Sequence, residues 1–488
     1  MTNSVCVLGA GIGGLMAGAY LAKAGFHVTV IEKARTVGGS AGWYVRKDRI
    51  FPTGATIAFG LEDGGLFRKH LDNLGIQVDV LELSYPMDIV LPDREVSIFL
   101  DSYKWEQELR SKFSDRKHEV LEFWRKLNEI SQVVLEVTRT GVSLPIHRFY
   151  DLGGLPMWLM KNPRSFVRLT RYFYWTVEDL MKKYNLENYV PLRQFLDAQL
   201  LDAVQTDVSE AALLPSSLAL TIYRRGSFYV ENGIGTISKK LACMIEELGG
   251  EVITSSRVKA VIYNKENKLW DVESAKCKKS FTFLINNTGV SFGAGTSYME
   301  KEEFSWGALR IDTIVNEAAC TQPLPFAYQM VVSSTSSLLK ELLHGPLYVT
   351  FQKSFNKEGT LVSGELVMTA SIHTYPDKWV KLSKEEYKKI KQDVMEELLS
   401  EIERVIPIKR HLLYVEAGTP VTYQKFVGKG EVGGFPLTVT NAILRPKSFR
   451  TKLPNLFIVG EQVFPGPGTL SSALSGYYAA RAIIREHQ

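Results

Sequence analysis

The chain has 488 residues, 45% of them apolar and 23% charged, and a formal net charge of +5. This length supports more than one hydrophobic core, the composition argues against a disordered chain, and so small a charge gives no argument for nucleic acid. The four cysteines, Cys6, Cys243, Cys277 and Cys320, are scattered without a CxxC pair, which argues against a disulfide framework and a zinc site.

The first strand-like stretch, "SVCVLGAG", begins within a few residues of the first residue, and the expectation from it is a chain without a signal or transit peptide. No stretch reaches the roughly 20 apolar residues of a membrane span. The expectation is a cytoplasmic protein that meets a membrane, if at all, peripherally on its inner face.

In chain order, "SVCVLGAGIGGLMAGAYLAKAGFHVTVIEKA" predicts a strand from Val5 to Leu8, a tight glycine turn, a helix from about Gly13 to Ala24 and a strand from Phe26 to Glu32, which is a βαβ unit. Gly-rich loops follow to about Gly65. "LFRKHLDNLGI" then predicts a helix stopped by Gly75. From Asp101 to Leu201 the pattern turns helical and aromatic, as a separate domain or large insertion would. Near Gly233 the α/β character returns: a helix halted at Gly249 and Gly250, a strand around Val258, and "FTFLINNTG" from Phe281 to Gly289. Alternating runs such as "GALRIDTIVN", "LYVTFQ" and "GELVMTASIH" read as strands. A helix then opens with a capping box, Ser383 with Glu386, and carries an apolar stripe through Tyr387, Ile390, Val394, Leu398, Ile402 and Val405. The chain closes on "NLFIVGEQVFPGPGTLSSALSGYYAARAI", a strand, a Pro/Gly loop and a helix of small residues.

Gly9, Gly11 and Gly14 fit GxGxxG between a strand and a helix. The first glycine allows the turn, the second lets a pyrophosphate approach the backbone, and the third lets helix and strand pack closely. Glu32 stands at the end of the second strand, where a carboxylate accepts ribose hydroxyl protons and repels a 2'-phosphate. Gly38 and Gly39 supply a second bare-backbone site soon after it. An NAD site has no need of this, whereas FAD is held along its pyrophosphate and ribityl chain. The final helix offers oriented N–H groups to an electron-rich ring, with Thr469, Ser471 and Ser472 as first-turn residues; alternatively it is a packing helix after a loop.

With these blocks, "RIFPTGATIAFG", "YVENGIGTISKKLACMIEELGGEVITSSRVKAVI" and "GTPVTYQKF", the sequence resembles the FAD-dependent amine oxidase superfamily. Within it, the chain is similar to the branch of bacterial phytoene desaturases and plant-type carotenoid isomerases, which also holds retinol saturases. The resemblance implies an α/β fold, an FAD-binding Rossmann-like (GR2-type) domain with an inserted α+β substrate domain. It implies that Gly9, Gly11, Gly13 and Gly14 meet the pyrophosphate and that Glu32, with Lys33 beside it, meets the adenosine ribose. Gly39 and Ser40 would line the cofactor, and Val258 would hold adenine through its backbone. Gly460 and Glu461 would approach the ribityl and pyrophosphate part, and Gly468, Thr469 and Leu470 the flavin pyrimidine. Ser40 stands where many relatives have Arg, and Pro52 where they often have Asp; both changes remove charge near the cofactor.

The implied domains are a discontinuous FAD-binding part, about residues 1–80, 225–292 and 415–488, and a substrate part, about 81–224 and 293–414. The implied activity is desaturation of a carotenoid or related isoprenoid polyene by hydride transfer to flavin N5. Its rivals are a redox-neutral cis–trans isomerase using reduced FAD, a flavin amine oxidase and a lipid saturase. No catalytic acid or base is assigned; His147, His373 and Glu431 are isolated candidates, and no metal is expected. Near 147–180, Arg148, Lys161, Arg164, Arg168 and Arg171 interleave with Phe149, Trp158, Met160 and Phe166. That pattern suits a helix in an anionic headgroup layer or a core helix with a solvated basic face, and a bilayer-held substrate favours the first. The expected partner is therefore a hydrophobic small molecule, not nucleic acid.

Overall fold

The computed structural model describes residues 3–289, 306–320, 325–427 and 430–487. The expected domain boundary at 292/293 lies outside them. The βαβ unit forms as Ser4–Leu8, Ile12–Lys23 and His27–Ile31. Its strands sit in a parallel sheet of five, ordered Glu251–Ile253, His27–Ile31, Ser4–Leu8, Phe283–Asn286 and Leu456–Ile458. Side-chain alternation divides the first strand between two cores. Val5 and Val7 pack under the helices, whereas Cys6 and Leu8 pack against an antiparallel three-stranded sheet, Val258–Asn264, Leu269–Ser274 and Lys278–Phe281. A parallel sheet covered on both faces explains why its strands read as unbroken apolar runs.

The helix Ile12–Lys23 is almost wholly buried because helices flank it. Gly235–Glu247 presses Ile245 onto Gly18, and the C-terminal helix Thr469–His487 lays Gly476 on Gly13. Small residues permit that approach. The two chain ends are thereby packed together, and the loops before both helices open at one edge of the sheet.

The second part is a seven-stranded sheet, ordered Leu412–Gly418, Gly307–Asn316, Leu361–Thr374, Leu343–Phe355, Ala327–Met330, Met87–Val90 and Glu95–Ile98. It is antiparallel except where Ala327–Met330 runs parallel to Met87–Val90. Along Gly307–Asn316, Leu309, Ile311 and Val315 join the core under the helix Lys384–Glu403, where Val394, Leu398 and Ile402 are buried. That helix starts with the expected reciprocal cap, Ser383 Oγ accepting from Glu386 N–H and the Glu386 carboxylate from Ser383 N–H at 2.9 Å. Ala308, Arg310 and Asp312 point the other way, into a cavity. The segment from Ser102 to Arg224 is helical, as its pattern predicts, and its aromatic residues form a separate core with Trp105, Phe123, Trp124 and Phe195 at its centre.

Candidate cofactor and substrate site

Four turns meet at the edge of the parallel sheet. Gly9 has φ +89°, a value that favours glycine, and closes the turn after the first strand. Gly38 N–H donates to Ala10 O at 2.7 Å and binds the second glycine loop to the first. Asn287, after the fourth strand in sheet order, donates from Nδ2 to Gly9 O at 3.2 Å. Gly460 N–H donates to Ser475 Oγ at 2.8 Å, which ties the last strand to the C-terminal helix. These bonds make one floor from segments hundreds of residues apart.

The floor has room above it where a dinucleotide needs it. A Cβ built on Gly39 would meet only Gly11 Cα, at 3.4 Å, and one on Gly468 only Ser471 Oγ, at 3.9 Å, so both glycines present bare backbone to open space. Gly13 and Gly14 act differently: a Cβ there would meet Ser472 O at 2.8 Å or Gly9 O at 2.5 Å. At the other end Glu32 is fixed by two backbone donors, Ala10 N–H to Oε2 at 2.7 Å and Ala34 N–H to Oε1 at 2.6 Å. Each carboxylate oxygen keeps lone-pair capacity for a ribose hydroxyl. Ser256 N–H donates to Glu32 O at 2.8 Å, which brings Arg257 and Val258 alongside. The residues present therefore fit a dinucleotide extended between Glu32 and Gly468.

The cavity has a volume of about 2210 Å³. Ordinary ligand pockets run to about 300–1,000 Å³, so this one accommodates a large cofactor and a second long molecule. Beyond the glycine floor it is lined by Leu214, Leu218, Ile222 and Val137, and it reaches Leu155, Phe166 and Leu169 on the short helices Leu155–Lys161 and Pro163–Thr170. The lining of this arm is mostly apolar, as a long hydrocarbon would require.

Of the residues singled out from the sequence, Gly9, Gly11, Gly13, Glu32, Lys33, Gly39, Ser40, Val258, Gly460, Glu461, Gly468, Thr469 and Leu470 all line this one cavity. Gly14 does not; it packs against the turn of Gly9. The acid–base candidates fare unequally. His147 is exposed, with its backbone N–H on Asp151, and Glu431 is half-buried and does not line the cavity. His373 does line it; burial, then His344, pushes its pKa down to about 4, so it is neutral at physiological pH.

Charge from elsewhere in the chain does stand beside Pro52. The buried Arg310 donates to Pro52 O and, from Nε, to Asp312 Oδ1 at 2.7 Å, while Tyr44 O–H donates to Asp312 Oδ2 at 2.5 Å. A guanidinium and a carboxylate from the seven-stranded sheet thus stand beside the loop. The available signal was two charges at i and i+2 in a strand whose other face is apolar. Asp202, Tyr223 and Tyr348, also cavity-lining, were missed as well.

This double glycine floor beneath a parallel sheet defines a nucleotide-binding Rossmann-like domain, here joined to a seven-stranded sheet and a helical layer. The NAD(P)-binding Rossmann-like domain family matches residues 7–74. Prolycopene isomerase of Daucus carota is 25% identical over 98% of this chain and 80% of its own length. An all-trans-retinol 13,14-reductase of Danio rerio is 22% identical over 96% of this chain and 84% of its own. Among solved structures, putrescine oxidase bound to putrescine has a TM-score of 0.63 at 14% identity, with 99% of each chain covered. A CLA-producing fatty acid isomerase from P. acnes has 0.56 at 12%, covering 99% of this chain and 98% of that one. The solved structures carry the fold alone. With the motif blocks, these likenesses support the resemblance to the FAD-dependent amine oxidase superfamily and, within it, to the carotenoid isomerases. The chain has the fold of those oxidases, and the relatives similar to it along nearly its whole length are enzymes.

Proposed function

We propose that the chain binds FAD and acts on the carbon–carbon double bonds of a carotenoid or related polyene. The observation that carries the reading is the single cavity, continuous from the glycine floor to the apolar arm. A polar amine would call for a short aromatic cage instead. Bound there, FAD would supply a two-electron donor or acceptor for a double bond. Gly9, Gly11, Gly13, Gly39 and Ser40 would hold its pyrophosphate and ribityl chain, Glu32 its ribose and Val258 its adenine, within the discontinuous cofactor part expected from the sequence. The first turn of Thr469–His487 would direct N–H groups at the flavin pyrimidine and favour negative charge there. The apolar arm would exclude water and align the polyene.

Of the reaction types, redox-neutral cis–trans isomerisation is favoured by the likeness to prolycopene isomerases along nearly the whole chain. Net desaturation by hydride transfer to flavin N5 is the second reading; the relatives also include retinol reductases, whose name denotes a net redox change at a carbon–carbon bond, there in the direction of saturation. Reconstituted protein separates them: isomerisation gives a product of unchanged mass and requires pre-reduced flavin, and desaturation gives one two hydrogens lighter and requires an acceptor.

We also propose peripheral membrane contact at Leu155–Lys161 and Pro163–Thr170. No helix among the described residues is long and apolar enough to cross a membrane. The outer faces of these two helices and their flanks expose Phe149 at 84% and Met160 at 77%, together with Val167 and Tyr174. Lys161, Arg164, Arg168 and Arg171 are exposed beside them without an ion pair among the described residues. Apolar side chains ringed by free cations suit an anionic leaflet, and the inner faces of the same helices line the cavity. Each cation near such a surface contributes about 1 kcal/mol, so Arg164→Gln with Arg168→Gln is expected to weaken sedimentation with anionic vesicles about 30-fold and to leave neutral vesicles unaffected. Equal sedimentation of the double variant and the wild type would remove this contact.

A further inference from the structure

The helix Val190–Val204 is apolar on nearly all sides, with Leu192, Phe195, Leu196, Ala198, Leu200 and Val204 buried. Acids are rare in such a helix unless paired. Asp197 is paired, accepting from Val208 N–H at 2.8 Å. Asp202 is not. Asp202 lines the cavity, and although its side chain keeps accessible surface it has no hydrogen bond or ion pair among the described residues.

The titratable groups set against it are the phenols of Tyr223, in the turn after Leu213–Thr221, and Tyr348, on the strand Leu343–Phe355. Both are enclosed, and burial together with the charge of Asp202 keeps them protonated. Thr56, next to Tyr348, adds a buried hydroxyl to the same cluster. Thr56 belongs to the loop in which Ala55 N–H donates to Ser40 O at 2.9 Å, so this polar cluster adjoins the glycine floor within an otherwise apolar arm. Enclosure pushes the Asp202 pKa up to about 6, so near neutral pH the group can both give and take a proton.

We propose that Asp202 is the catalytic acid and base that exchanges a proton with a polyene carbon adjacent to the one that exchanges hydride, an assignment that rests on the polyene reading above. Reduced FAD, when bound, would supply the hydride and take it back. Asp202 would give its proton to the carbon beside the one that receives the hydride: two C–H bonds would form, the π bond, the Asp202 O–H bond and the N–H bond of the hydride donor would break, and the two electrons of the hydride would pass to the polyene. The resulting single bond could rotate. The Asp202 carboxylate would then take a proton back from the same carbon as the hydride returned to the oxidised donor, which would restore the double bond in the other geometry with no net oxidation.

The test uses FAD-reconstituted, pre-reduced protein with a poly-cis carotenoid in deuterated water. Wild type is expected to place deuterium on a double-bond carbon. Asp202→Asn is expected to lose this exchange and at least about 100-fold of turnover, with the shift of the polyene spectrum on binding unchanged, and Asp202→Glu to recover part of both. A readout free of substrate accompanies it. An ionised enclosed carboxylate costs stability, so the Asp202→Asn melting temperature should exceed the wild type at alkaline pH, and the gap should close as pH falls through about 6 towards the ordinary carboxylate range. Turnover with undiminished deuterium exchange in Asp202→Asn would overturn the assignment and leave the polyene reading intact. Absence of polyene binding by the wild type would fail that reading and this assignment together, and a stability gap flat with pH would overturn the assignment by itself.

Discussion

Gly476→Ala is expected to leave a destabilised protein that does not retain FAD. A Cβ at this position would fall well inside contact distance of Gly13 O and within 3.1 Å of Ala17 N. Both are backbone atoms of a buried helix and cannot swing aside, so Ile12–Lys23 and Thr469–His487 must separate. Overpacking of this kind costs about 1–3 kcal/mol or more. The shift also moves Ser472 O, which lies 2.8 Å from a Cβ built on Gly13, and with it the floor shared by the two chain ends. Denaturant unfolding and the visible flavin spectrum read the two consequences. Gly249→Ala is the control: φ there is +82° and nothing lies within 4 Å of an added Cβ, so the cost is confined to backbone strain of about 1 kcal/mol and flavin binding should persist. Equal behaviour of the two variants would contradict the close-packed junction.

Glu32→Ala should raise the FAD dissociation constant by at least about 100-fold, measured by flavin fluorescence titration. The substitution removes the ribose acceptor and also orphans the N–H groups of Ala10 and Ala34, which Glu32 now satisfies. Hydrogen bonds to a charged group contribute about 1.5–3 kcal/mol each, and every 1.4 kcal/mol is a factor of ten in affinity. Glu32→Gln keeps one acceptor oxygen but turns an NH2 towards a backbone donor, so a smaller loss is expected. Unchanged affinity in Glu32→Ala would remove the ribose role.

The cofactor half was legible because its determinants are local. The interval from Gly9 to Glu32 is one βαβ unit, and its turn, its helix length and the position of Glu32 follow from periodicity and chain geometry over a few dozen residues. The C-terminal block could be matched to it because a strand, a glycine loop and a small-residue helix recur in the same form. Arg310 and Asp202 are of another kind. Each is a charged residue in an ordinary-looking strand or helix, and each acquires meaning from residues far away in sequence: Pro52 for Arg310, Tyr223 and Tyr348 for Asp202. Asp202 did leave a trace, since an acid in a helix apolar on nearly all sides must be paired, neutralised or used. Which of these applies depends on the cavity, and a cavity built from two sheets and a helical layer has no short motif.

The most direct measurement of the whole account is incubation of the FAD-reconstituted, pre-reduced protein with a poly-cis carotenoid in anionic vesicles, followed by mass and geometry of the recovered pigment. The account predicts a bound flavin spectrum and a pigment of unchanged mass with fewer cis bonds. A protein that takes up no flavin, or one that takes it up and returns the pigment unchanged in both mass and geometry under reducing and oxidising conditions, would contradict it.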